Sequence, residues 1–229
     1  MKLPKSFRPE KDLDSKIEDF LDSESLVYDP RVVAALLDIS EEFLEQACDD
    51  YDGFYDIGVG LVRGLKYGLK DVEELSKRIK YGQSKLLGIY LSVLVNKKIK
   101  EKDTVTFTLE EELDSVGLYL QKGTLIIKGN TNNNTGFYME GGKIVVKGNV
   151  NNFTGFYMVG GGLVVEGNAN DFTGCYMGRG ELIVEGNANG FTGSGMEGGR
   201  LVVEGEIRGI SDYFSKGAII EGDKVRRDC

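Results

Sequence analysis

Carboxylates that recur at one spacing are the groups in this chain whose type and placement could do chemistry. Glu166, Glu185 and Glu204 stand 19 residues apart, and Glu140 and Glu197 fall on a second set of equivalent positions. Two acids on neighbouring strands can cleave a glycosidic bond, one giving a proton and the other acting as base or nucleophile. Val159 and Gly178 interrupt the second set, however, and the first runs back into Lys147 and Lys128. A line of both signs reads as a solvated face. A groove enzyme running on carboxylates or tyrosines stays open as an alternative, with no pair of residues singled out for it.

The chain has no histidine. That removes the commonest general base, the Ser-His and Cys-His nucleophile pairs and every His-ligated metal. Cys48, Cys175 and Cys229 are odd in number and far apart, with no C-x-x-C pair. They point to a reducing compartment and away from zinc or iron–sulfur clusters. Cys175 takes the position that Phe137 and Phe156 hold in equivalent segments, which suits a packing residue better than a nucleophile. Gly58-Val59-Gly60-Leu61-Val62-Arg63-Gly64 has one residue too many for a dinucleotide loop and no clear strand before it. Asp50-Tyr51-Asp52-Gly53 lacks the first and last ligands of a calcium loop. No catalytic, metal or cofactor-binding residue is assigned, and no cofactor is expected.

Charge and hydropathy narrow the partners. The net charge is −9, and neither half carries an excess of basic side chains, so a nucleic acid is not expected. The chain opens on MKLPKSFRPEKD, without an apolar signal core. Its longest apolar stretch, LLGIYLSVLV at 86–95, is about half of a membrane span. The expectation is a cytoplasmic protein with no membrane contact.

Any positioning of groups must come from the feature that dominates the second half. Residues 129–204 repeat one 19-residue phrase four times: GNTNNNTGFYMEGGKIVVK, GNVNNFTGFYMVGGGLVVE, GNANDFTGCYMGRGELIVE and GNANGFTGSGMEGGRLVVE. A unit this short cannot bury its own apolar side chains, so neighbours must stack on it. Two short β segments, FYM and IVV, with glycines at Gly136, Gly155, Gly174 and Gly193 as corners, predict one coil of a parallel β-helix per repeat. Gly117–Lys128 matches only the second half of the phrase, which predicts a partial first coil, and GAIIE at 217–221 arrives early.

Stacking turns each repeat position into a column about 4.8 Å per step. Leu125, Ile144, Leu163, Leu182 and Leu201, with Ile127, Val146, Val165, Val184 and Val203 two places on, should face inward. Asn130, Asn149, Asn168 and Asn187 form one amide column, and Asn132, Asn151, Asn170 and Asn189 another. Stacked amides can bond along such a column and tolerate left-handed corners, a structural role. Thr135, Thr154, Thr173 and Thr192 precede the corner glycines and should pack or bond the backbone there. Ile126, Val145, Val164, Ile183 and Val202 alternate outward, and such a stripe is the candidate interface. Either the apolar segment 86–95 or a second copy across a two-fold axis could cover it.

The first hundred residues read as helices. Val32–Leu37 behind Asp29-Pro30, a segment around Phe43 to Ala47, Asp71–Ile79 and Ser84–Val95 are the four candidates. Acids are gathered over 38–56 and basic side chains over 63–100, which fits helices that pair with each other or a face that docks a partner. The resulting fold class is mainly β with an α-helical N-terminal part. A helical domain over 1–103 caps a β-helix repeat domain over 104–229.

The phrase GN-x-N-x-FTG-x-YM-x-GG-x-LVVEGN at period 19 resembles a glycine-rich repeat domain found in two groups of proteins. One is the glutamate synthase large subunit, where it is the C-terminal domain. The other is the repeat-bearing subunit of formylmethanofuran dehydrogenase. The resemblance covers about residues 105–222. It implies a right-handed β-helix that supports assembly and neighbouring catalytic domains while holding no reactive groups. The chain shows no amidotransferase nucleophile, flavin barrel or iron–sulfur cysteines, so no reaction carries over. The expected function is a non-catalytic scaffold or assembly module that contacts a protein partner or itself, with a homo-oligomer as one form. The alternative is an accessory subunit of a multi-subunit oxidoreductase or amidotransferase complex.

Overall fold

Short runs of alternating burial build the sheet. The computed structural model describes residues 55, 56, 58, 59, 62, 67–79, 84–214 and 216–228. Seven strands, β1 (Thr104–Thr108), β2 (Thr124–Lys128), β3 (Lys143–Val146), β4 (Gly162–Val165), β5 (Glu181–Val184), β6 (Glu197–Val203) and β7 (Lys216–Glu221), lie side by side in chain order and all parallel. From β2 to β5 the pairing is in register at the repeat spacing, Leu125 over Ile144, Leu163 and Leu182. The protein is a parallel β-solenoid with coils of about 19 residues. An eighth strand, β8 (Lys224–Asp228), turns back antiparallel on β7.

The inward columns are sealed. Leu125 to Leu201, Ile127 to Val203 and the column Leu120, Met139, Met158, Met177 and Met196 are all 0% exposed. A second, thinner ladder runs Thr131, Val150, Ala169, Ala188 and Ile207, one parallel bridge per coil.

The FYM segments are not strands. Phe137 N–H bonds to Asn134 O at 3.2 Å and Met139 N–H to Gly136 O at 3.1 Å, two tight turns in succession. Tyr138 and its equivalents Tyr119, Tyr157 and Tyr176 sit at φ of 49–56°, which no extended strand allows. Apolar content alone suggested a strand there. The corner Gly155 (φ 68°) shows what shapes this part: a Cβ on it would lie 2.4 Å from Leu182 Cδ1 of the next coil. Positive φ and an inward leucine both demand glycine.

The first coil closes a turn but is partial in its pairing, since the second ladder begins only at Thr131 on Val150. Gly117 (φ 80°) and Tyr119 hold the repeat positions of Gly136 and Tyr138, and Ser115 (φ 58°) takes the corner that Asn134 holds one coil on. The early arrival of β7 appears as a register shift between Glu197 and Arg200 against Lys216 and Ala218.

Among the described residues, helices α1 (Leu69–Arg78) and α2 (Ser84–Lys98) lie at the N-terminal end. Asp71 accepts the Gly68 N–H at the start of α1 and so satisfies one of its free donors. Val72, Leu75 and Ile79, along α1 and at its end, are buried, as is every residue of α2 from 87 to 95, and they join one core with the coils. The expected segments Val32–Leu37 and Phe43–Ala47 lie outside the described residues, as do most of the acids of 38–56.

Candidate interface on the flat sheet face

β2 to β6 present one flat outer face. Its centre line is Ile126, Val145, Val164 and Ile183, all half-buried, and Val202, at 9% exposure. These residues pair in register, each directly above the next. The segment 86–95 does not lie along this stripe. Helix α2 is spent on the end of the stack, where Ser92 Oγ accepts the Gly117 N–H at 2.9 Å and Asn96 Nδ2 donates to Leu118 O at 2.9 Å.

Charged columns flank the stripe. On one side stand Lys128, Lys147, Glu166, Glu185 and Glu204 in chain order; on the other, Lys143, Glu181 and Arg200. Lys147 pairs with Glu166, and Arg200 with Glu181. Lys128, Lys143, Glu185 and Glu204 are exposed and form no ion pair among the described residues. The repeated carboxylates therefore line a solvated, two-signed edge. Glu140 is not poised for chemistry either: it accepts a hydrogen bond from Gln121 Nε2 at 3.0 Å.

Beyond the strands the coil carries a wall of ladders. Asn149, Asn168 and Asn187 each give their N–H to the Oδ1 of the asparagine one coil before, at 2.8–2.9 Å, and Glu206 N–H ends the run on Asn187. Asn151 Nδ2 donates to Asn132 Oδ1 at 2.9 Å and Asn170 Nδ2 to Asn151 Oδ1 at 2.8 Å, with Asn189 next. A third ladder escapes a reading of the sequence: Asn133 N–H on Asp114, Asn152 N–H on Asn133, Asp171 N–H on Asn152 and Gly190 N–H on Asp171. It mixes Asn and Asp, so identity at the position hides it; equal length of side chain is the available signal. Amide oxygens engaged in this way are poor free ligands for a sugar or a cation.

Beside these ladders Tyr138, Tyr157 and Tyr176 stack at 5.1 Å between centroids, nearly parallel, and Tyr119 extends the stack at 5.6 Å. Phe153, Phe172 and Phe191 form another stack at 4.8–4.9 Å. Rings that cover each other's faces offer only edges to a ligand, so the stack is no platform for a sugar ring. Buried Thr154, Thr173 and Thr192 donate from Oγ1 to Asn151, Asn170 and Asn189 carbonyls at 2.7–3.1 Å.

Cys175 is a buried free thiol, and burial pushes its pKa up to about 11, the reverse of an activated nucleophile. Burial likewise pushes Tyr90 up to about 12 and raises Tyr55 and Tyr67. Tyr67 donates to Leu94 O at 3.1 Å and receives Lys98 over its ring. Of the dinucleotide-like glycines, Gly58 is buried in a helical turn that ends in the Val62 N–H bond to Gly58 O. Among the described residues no cluster of three His, Cys, Asp or Glu side chains could hold a metal, and no helix is long and apolar enough to cross a membrane.

No family model, curated protein or solved structure matches the chain.

Proposed function

We propose that the chain is a non-catalytic assembly module that docks another protein chain on its flat sheet face. The observation that carries this reading is the in-register β-branched stripe Ile126 to Val202 on a rigid sheet, edged by charges. Four members of the stripe are half-buried and Val202 is nearly buried, so it is a partly open apolar line, and an apolar centre with a charged rim is the usual anatomy of an interface. The setting that fits is the cytoplasm, supported by three widely spaced cysteines without a pairing pattern.

A second reading is an accessory subunit of a larger oxidoreductase or amidotransferase complex. The 19-residue phrase supports it, since it is similar to the repeat domain of glutamate synthase and of formylmethanofuran dehydrogenase. Both readings place the stripe in an interface. The test replaces Val164 and Ile183 together by Lys and measures the native mass of the assembly recovered from the source cells, where any other partner is present, together with the melting temperature of the purified chain. The expected result is a folded protein of lower native mass. An unchanged mass at unchanged stability overturns the proposal.

A further inference from the structure

We infer that the occupant of the flat face is a second copy of this chain, packed face to face about a two-fold axis that runs along the strands at the level of Val164. The inference rests on the reading of this face as a docking surface and adds the identity and the geometry of the partner.

The face is complementary to itself. A two-fold axis along the strand direction keeps each column opposite itself and reverses the order of the coils. The stripe then pairs Ile126 with Val202, Val145 with Ile183, and Val164 with Val164. Each step away from the axis sets one isoleucine against one valine, so the gap between the sheets is filled evenly. The register that permits this is continuous from β2 to β6.

The charges decide the orientation. Along the column of Lys128 the signs run plus, plus, minus, minus, minus from the first coil to the last. Reversal sets Lys128 against Glu204 and Lys147 against Glu185. In the other column it sets Lys143 against Glu181. The four charges without an ion pair among the described residues, Lys128, Lys143, Glu185 and Glu204, all gain an opposite partner. Glu166 alone meets its own copy, and there Lys147 already neutralises it. The other possible two-fold axis, along the solenoid, puts columns of one level together. It opposes Lys143 to Lys147 and Glu181 to Glu185, like against like, and only Arg200 to Glu204 with opposite signs, which disfavours it.

Five strand levels at ~4.8 Å and about four residues at ~3.3 Å give a footprint of roughly 300 Å² per chain. Doubled over both chains, that is below the ~1,200 Å² of stable specific complexes, so the dimer should be weak and dissociate on dilution. Dependence on ion pairs at the rim should also weaken it in salt.

The distance between Lys128 and Glu204 makes a clean test. Within one chain they are four levels apart, about 19 Å, and cannot compensate each other. Dimerisation of the full chain is measured by sedimentation equilibrium for the natural sequence, Lys128→Glu, Glu204→Lys, the double exchange and Val164→Lys, with melting temperature as a control for folding. Each single reversal disturbs two symmetry-related pairs, so about tenfold weaker dimerisation is expected, with recovery in the double exchange. Val164→Lys should abolish the dimer. If Val164→Lys removes a dimer that the double exchange fails to restore, the face docks a second copy in another orientation and the proposed axis is wrong. A dimer that survives Val164→Lys overturns both this inference and the docking reading. A chain monomeric at the highest attainable concentration overturns self-association and leaves the docking reading to its own test.

Discussion

The two ends of the solenoid meet the same difficulty with opposite means. Every parallel stack ends in a strand whose N–H and C=O groups have no neighbour, and such an edge recruits other chains. At the N-terminal end the edge strand β1 is covered by helix. Glu73 Oε1 of α1 accepts the Thr106 N–H at 2.6 Å and Ser76 Oγ accepts the Thr108 N–H at 3.1 Å, so side chains stand in for a missing strand. Helix α2 does the same for the first corner through Ser92 and Asn96, while its apolar body seals the core. At the C-terminal end the cover is a single antiparallel strand, β8, exposed along its whole length and rich in charge. Arg226 pairs with Glu221 at 2.5 Å and Arg227 with Asp212 at 3.0 Å. One end is closed by burial, the other by a strand that other chains find unattractive. The contrast predicts that damage to the first end costs far more.

The largest effect should follow removal of the helical cap. A chain starting at residue 103 uncovers Val105, Phe107, Leu118 and Leu120, all 0% exposed in the fold, together with the N–H groups of β1. It should be recovered mainly as aggregate, measured by size-exclusion chromatography beside the full chain. A well-behaved monomer would show that the first coil needs no cover.

A finer cut at the same end is Gly88→Ala. In most helices this change adds roughly 1 kcal/mol of stability through propensity. Here a Cβ would stand 1.7 Å from the Asp114 carbonyl oxygen, backbone that cannot rotate away. Forced separation of packed elements costs about 1–3 kcal/mol or more, so the clash should outweigh the gain. Urea denaturation should show net destabilisation; a stabilised variant would mean that α2 is not seated on the first coil.

The contrast between the ends is only half legible in the sequence. The stack, its period and its inward columns follow from residues such as Leu163 and Val165, because each position is written several times and the alternation leaves no choice of face. The stretch 84–95 announces burial by being apolar all round. What cannot be read is where single, unrepeated residues go. Glu73 and Ser76 look like ordinary surface positions of a helix until β1 is placed beside them. Strand β8 follows the Gly222-Asp223 turn, yet Lys-Val-Arg-Arg-Asp carries no apolar run to mark it. The FYM segments mislead for a related reason: the φ of Tyr138 is set by contacts with the adjacent coils, as in the Tyr138 N–H bond to Phe156 O at 3.0 Å, and not by the local alternation. The outer stripe and the charged column beside it, Lys128 to Glu204, are both readable from the period, because each position falls 19 residues after the last.

At the C-terminal end, ending the chain after Gly222 removes β8. Its side chains are exposed and its two ion pairs are surface pairs, each worth about 0–1 kcal/mol. The core residue beneath, Ile219, stays in place through β6. Melting temperature should fall by only a few degrees, while slow self-association should appear because β7 becomes a bare edge. A collapse as complete as that of the chain starting at 103 would erase the proposed difference between the ends.

The smallest effect separates the ends by pH. The helical end carries Tyr55, Tyr67 and Tyr90, all pushed up by burial, Tyr90 to about 12. A buried phenol with a raised pKa favours the protonated, neutral form in the fold, against an ordinary value of about 10 in the unfolded chain. Its contribution to stability is therefore complete below pH ~10 and is lost as pH rises through the folded value near 12. Melting temperature should hold from pH 8 to 9 and decline above pH 10, as ionisation pulls on the unfolded chain first. Tyr90→Phe removes one of these titrations, so its decline above pH 10 should be shallower than that of the natural sequence, whatever its stability at pH 8. Hydrogen exchange would locate the loss: amides of α2 and the first coil should lose protection at high pH before those of β6 and β7. Parallel declines for the two proteins would show that Tyr90 ionises as freely in the fold as outside it, and that alkali does not attack the buried end first.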